Sequence, residues 1–311
     1  MDMSRKLEVL AVAAACAVLA GGVVRAAVPE SLQEVTVTAH RIEFEKRVSQ
    51  FVNQIAASEN VGEGLARWQV PSVCPLVSGL PRRDGEFILE RLSEIAHAAG
   101  VPLADEHCSP NLYILVTSQP EDLLRGMEKQ NRRFTFGFDA SHYPPVETAA
   151  SVVDEFIKTP RAVRVWYNSA EKDASGTQLA YCRESDLLPD ADPSLYVRCG
   201  HGISGGSHLA SGTVWTFSSV FVIVDQGRFQ GVTVRQLADY TAMVGFAKLR
   251  PDARLGDAPT ILALFNGAPG AAPAGMTDWD QTFLKSLYVT DQRSKLQRSQ
   301  IAREMVREIA P

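Results

Sequence analysis

TVWTFSSVFVIVDQGRFQGVTVRQLADYTAMVGFAKL, residues 213–249, decides how the rest of the chain is read. Val214 to Val224 is rich in β-branched and aromatic side chains, the composition of a buried strand. Asp225-Gln226-Gly227 breaks the run. Thr233 is placed as an N-cap, its hydroxyl able to accept a hydrogen bond from an N–H of the turn that follows. Leu237, Tyr240, Val244 and Ala247 then recur at helical spacing. Many enzymes load such a strand, turn and central helix with ligands, yet this helix carries neither His nor Glu.

Around that unit the chain has 311 residues, enough to bury one large or two modest domains. Its 31 basic and 36 acidic residues, net charge −5, argue against a general polyanion or nucleic-acid binder. At the N-terminus Arg5 and Lys6 precede an apolar run from Leu7 to Val24 broken by Glu8, and Val24-Arg25-Ala26 supplies small residues at the cleavage positions. This predicts a signal peptide over residues 1–27 and a periplasmic or secreted mature protein. An uncleaved anchor and a lipoprotein built on Cys16 are the competing readings, and no later stretch is apolar enough to span a bilayer. In an oxidising compartment the remaining cysteines, Cys74, Cys108, Cys182 and Cys199, suggest two disulfides. Of the three pairings, the neighbouring one, Cys74–Cys108 with Cys182–Cys199, is favoured. No CxxC pair points to zinc.

Along the mature chain, residues 28–50 read as an exposed lead-in. Within it Leu32-Gln33-Glu34-Val35-Thr36-Val37-Thr38-Ala39-His40-Arg41 resembles the TonB-box segment of TonB-dependent outer-membrane receptors. The resemblance implies that Val35, Thr36, Val37 and Thr38 add an extended strand to an envelope partner's sheet edge; an edge strand or leader of high β-propensity is the plainer reading. Glu43 to Ala57 reads as a helix, residues 65–70 as a strand, Asp84 to Ala99 as a helix ended by Gly100, and Asn111 to Thr117 as a buried strand. Together with a helix begun by Pro120, residues 51–130 form a βαβ-like subdomain crosslinked by disulfide. Residues 131–311 add a strand at Ala162 to Tyr167, a polar hairpin-like excursion over 169–193, a helix capped by Thr277 or Asp278, and a final amphipathic helix. The expected class is α+β, a mixed sheet with packed helices.

The order of strand, turn, helix, short apolar segment and Thr-Asp-Trp-Asp helix over roughly residues 210–290 resembles uncharacterised secreted bacterial proteins with a zincin-like domain. Zincins carry HExxH on the central helix, two His one turn apart on the metal and a Glu that polarises water. The resemblance places Arg235, Gln236 and Asp239 at those positions, so it implies the scaffold in the C-terminal half without a metal or other cofactor. A second chemistry sits in Gly202-Ile203-Ser204-Gly205-Gly206, which fits GxSxG and is similar to the GDSGG of trypsin-like proteases, with Ile203 in place of the Asp. His107 or His208 would be the base for Ser204, with Asp139 or Asp154 as the acid in the trypsin-like order. A glycine-rich loop is the plainer reading, since no helix pattern follows Ser204. The same glycines lack the Lys of a P-loop. Trp166, Tyr167, Trp215 and Trp279 could form a carbohydrate or peptidoglycan platform, or simply core. The expectation is a non-catalytic binding module, with a serine hydrolase and a carbohydrate-binding protein as alternatives.

Overall fold

The structure is a computed structural model, which describes residues 30–58, 64–139, 146–173, 176–177, 179–186, 190, 196–199, 206–265 and 272–310. Residues 1–29, which hold the stretch read as a signal peptide, and residues 200–205, Ser204 among them, lie outside these described residues. In chain order the elements are α1 (Glu30–Ile55), β1 (Pro75–Ser78), α2 (Arg82–Ala99), β2 (Leu112–Thr117), α3 (Pro120–Phe136), β3 (Phe138–Asp139), β4 (Val146–Glu147) and α4 (Ala150–Lys158). They continue with β5 (Val163–Asp173), β6 (Ala180–Arg183), β7 (Tyr196–Cys199), β8 (Thr213–Asp225), α5 (Val234–Phe246), α6 (Asp278–Val289) and α7 (Gln297–Ile309). The fold is α+β.

A four-stranded mixed sheet of order β1-β2-β8-β5 carries the molecule. β1, β2 and β8 run parallel, and β5 closes the edge antiparallel to β8. The side-chain period of two divides β8 between two cores. Val220, Val222 and Val224 face the cluster that holds α2 and α5, whereas Phe221 and Ile223 face a smaller cluster with Leu124, Phe136, Val153 and Ile157 of α3 and α4. A strand covered on both faces reads as an unbroken apolar run, and that is the pattern from Val220 to Val224. β2 divides the same way, with Leu112, Ile114 and Val116 on one side and Tyr113 and Leu115 on the other. Residues 41–311 form one compact unit, and β1 and β2 share their sheet with β8 and β5. The expected break between residues 130 and 131 is therefore not a boundary between cores.

α2 ends at Gly100, whose φ of 75° needs no Cβ to be accommodated, as its sequence predicts. Thr233 and Thr277 both form capping boxes, with Gln236 and Asp280 as the reciprocal partners. Cys74 and Cys108 are joined, their Cα atoms 6.0 Å apart. Cys182 is also disulfide-bonded. In the β6–β7 ladder it stands opposite Val197, and the side chain of Cys199 is outside the description.

Several expectations need correction. Residues 32–41, Val35, Thr36, Val37 and Thr38 included, continue α1 instead of forming an extended strand. Each β-branched residue costs a helix only about half a kcal/mol, and extension from the amphipathic stretch at 43–55 avoids a new nucleus. Residues 65–70 make a single bridge, Arg67 to Thr216, and the strand lies later, at β1. There the Trp68 side chain is fully buried and its Nε1 donates to the Gly245 carbonyl at 2.8 Å. α3 runs on past Gln130 to Phe136, with a kink at Asn131, and α4 had no counterpart in the sequence reading.

Candidate functional site

α5 is the buried centre of the larger core; Leu237 to Phe246 are all buried. Its close approach to β2 depends on Gly245, where a Cβ would meet both Leu112 methyls at 3.1 Å. The two long faces of the helix have different surroundings, and that difference defines the site.

One face is tied into the scaffold. Asp239 is wholly buried, accepting from Arg91 Nε of α2 at 2.6 Å and from the Met276 N–H at 2.7 Å. The Asp239 hydrogen bond is the main cause of a raised Arg91 pKa, with burial opposing it. Gln236 is spent on the cap: its Oε1 accepts from the Thr233 N–H at 3.1 Å, and its Nε2 donates to the Pro273 carbonyl at 2.9 Å. Arg235 is exposed. Two of the three positions placed by the zincin resemblance, Gln236 and Asp239, thus hold the helix and the 272–276 segment in place. Among the described residues no group of three His, Cys, Asp or Glu side chains is placed to hold a metal ion.

The other face, Tyr240 and Val244, opens onto a cavity of about 620 Å³ under the edge strand β5. Val163, Val165 and Tyr167 form its wall on the sheet side, and Leu255, Leu262 and Phe265 close it from the segment after α5. Tyr240 meets Phe265 edge to face at 4.8 Å. The Tyr167 hydroxyl accepts from the Leu249 N–H at 3.4 Å, fixing the strand to the turn beyond α5. Burial pushes the Tyr240 phenol up to about 12, with the nearby Arg161 charge pulling the other way, so it stays a neutral donor at physiological pH. Burial holds Tyr167 well above the usual tyrosine range as well.

Among the described residues four cations line this cavity, Arg161, Arg228, Lys248 and Arg250, and no acidic residue does. Arg228 is held by Asp225 at 3.2 Å. Arg161 and Arg250 are exposed and have no carboxylate partner among the described residues. A second cavity, about 430 Å³ between α2 and α6, differs in kind. Its charges are internally paired, Arg91 with Glu94 at 2.8 Å and Lys285 with Glu308 at 2.7 Å.

The remaining sequence candidates are dispersed. His107 is exposed in a turn with φ of 69°, next to Cys108, and His208 is exposed. Asp154 pairs with Lys158 at 2.7 Å and with Arg125. Trp215 and Trp279 are core residues, 3% and 8% exposed, and Trp279 packs edge to face on Phe44 and Phe51. Trp166 donates to the Phe136 carbonyl at 3.2 Å and sits between Phe136 and Phe156. Tyr167 alone of the proposed aromatic platform reaches the cavity. The chain matches no family model, no curated protein and no solved structure.

Proposed function

We propose that the mature chain is a non-catalytic binding protein of the periplasm or extracellular space, built on a degenerate zincin-like scaffold, whose ligand occupies the cavity between α5 and β5. The observation that carries this reading is the division of labour on α5. Asp239 and Gln236, at the positions a zincin uses for chemistry, are occupied by Arg91, Met276, Thr233 and Pro273, while Tyr240 and Val244 one turn away face open space. A cavity of this size, in which apolar side chains stand beside Tyr167, Tyr240 and charged residues, is in the range of small-molecule sites. The Cys74–Cys108 bridge supports an oxidising compartment, and among the described residues no helix is long and apolar enough to cross a membrane.

The test uses N-phenyl-1-naphthylamine, a neutral apolar dye that brightens when it leaves water. Its fluorescence should rise on mixing with the protein and stay near baseline with Ala253→Trp, which fills the cavity from its loop side. Equal enhancement by both proteins would place the dye elsewhere and sink the cavity reading. Hydrolysis through Ser204 would instead appear as fluorophosphonate labelling that disappears in Ser204→Ala.

A further inference from the structure

The binding reading leaves the ligand's chemistry open, and the charges around the cavity narrow it. Its interior is apolar, from Val163, Val165, Val244, Leu262 and Phe265. Its charged lining is cationic throughout. These cations come from three separate places in the chain: Arg161 precedes β5, Arg228 follows β8, and Lys248 with Arg250 follows α5. Like charges lining one cavity repel unless an anion answers them. The same repulsion is visible where Arg250 helps to lower the Arg298 pKa, after burial. Two of the four, Arg161 and Arg250, are exposed without a carboxylate partner among the described residues, whereas Arg228 is held by Asp225. The Tyr240 hydroxyl adds a neutral donor at the cavity wall and has no hydrogen-bond partner among the described residues.

Resting on the binding reading, we infer that the ligand is a free single-chain amphiphilic acid, its carboxylate met by Arg161 and Arg250 and its apolar chain laid along α5 beneath β5. A neutral lipid would leave exposed cations unanswered, and a cationic one would be repelled. A diacyl phospholipid presents two chains to a space of about 620 Å³, the volume of one small-molecule site.

The experiment is competition against N-phenyl-1-naphthylamine by dodecanoate and by dodecanol, each below its aggregation point, with the wild type and with Arg161→Glu/Arg250→Glu. Both substituted side chains are exposed, an unchanged melting profile shows that the double variant is folded, and acid and alcohol are compared on the same protein. Dodecanoate should compete about tenfold more tightly than dodecanol for the wild type, and the double variant should lose that preference. If the dye binds and Ala253→Trp blocks it, but the acid is no better than the alcohol, the cavity reading stands and the acid class is wrong. If the dye does not bind and direct calorimetry finds no dodecanoate binding, both fall. Preference for the acid that survives the double charge reversal also overturns the assignment, since the selectivity would then lie outside this rim.

Discussion

Replacing Asp239 by Ala should weaken the protein as a structural anchor would, not as a catalytic residue would. The carboxylate is fully buried and has two partners, Arg91 Nε at 2.6 Å and the Met276 N–H at 2.7 Å. Removing one member of a buried ion pair costs about 3–5 kcal/mol, because the survivor is left charged and uncompensated. Arg91 is 19% exposed and keeps Glu94 at 2.8 Å, so part of that loss is recovered through water and the second acid. The orphaned Met276 N–H adds the desolvation of one buried donor, about 1–3 kcal/mol. A net loss of about 2–4 kcal/mol is expected, which lowers Tm by something of the order of 10 °C in a domain of this size. Thermal unfolding followed by circular dichroism, with urea titration as a check on the slope, measures it. Asp239→Asn retains one acceptor and should fall between the wild type and Ala. An Ala variant that melts within about 2 °C of the wild type would refute the anchoring argument, and loss of a bound metal or of hydrolytic turnover in a variant of unchanged stability would restore a chemical role to α5.

Gly275→Ala should mimic that defect from the other side: its Cβ would lie 2.6 Å from Asp239 Oδ2, and about 1–3 kcal/mol of stability should be lost in the same unfolding assay. Cys74→Ser opens a loop of 34 residues, worth about 3–4 kcal/mol in the chain-entropy description, so it should melt below the oxidised wild type, and adding reductant should lower its melting temperature by less than it lowers that of the wild type. Asp280 is raised above the ordinary carboxylate range by burial, against hydrogen bonds from Thr260, Thr277 and Ile261. A raised folded-state value means that its contribution to stability is complete at acid pH and declines as pH climbs through that value. The Tm difference between the wild type and Asp280→Asn should therefore shift in favour of Asn from about pH 3 to about pH 7, and a shift the other way would show that the hydrogen bonds outweigh burial.

Elements whose signals are local in sequence were legible. β8 shows an unbroken apolar run from Val220 to Val224, α5 and α6 carry Thr caps with partners three residues on, and α2 stops at a glycine in left-handed geometry. The Cys74–Cys108 bridge follows from proximity within one βαβ-like unit. Local propensity misled at Val35 to Thr38, where β-branched side chains sit within a longer helix. At β1 a four-residue strand between Pro75 and Gly79 is too short for a pattern to form. The site itself was hidden for a different reason. Asp239 finds Arg91 across 148 residues of sequence, so its role as an anchor has no local signature. The cavity's cations are likewise scattered over Arg161, Arg228, Lys248 and Arg250, and only the β5–β8 pairing and the end of α5 bring them together. The trace available beforehand was Lys248 and Arg250 directly after a helix otherwise apolar in its second half.

The position of β8 in the sheet also dictates the order of assembly. β2 is complete at Thr117, but the strand that must lie against it does not begin until Thr213. Until then the young chain presents a bare hydrophobic margin at Leu112 to Thr117, with free peptide groups that any passing strand could annex. A polypeptide truncated before residue 213 should consequently self-associate, visible as early elution from a sizing column, and the intact protein should refold slowly through a step governed by its distant parallel pairing.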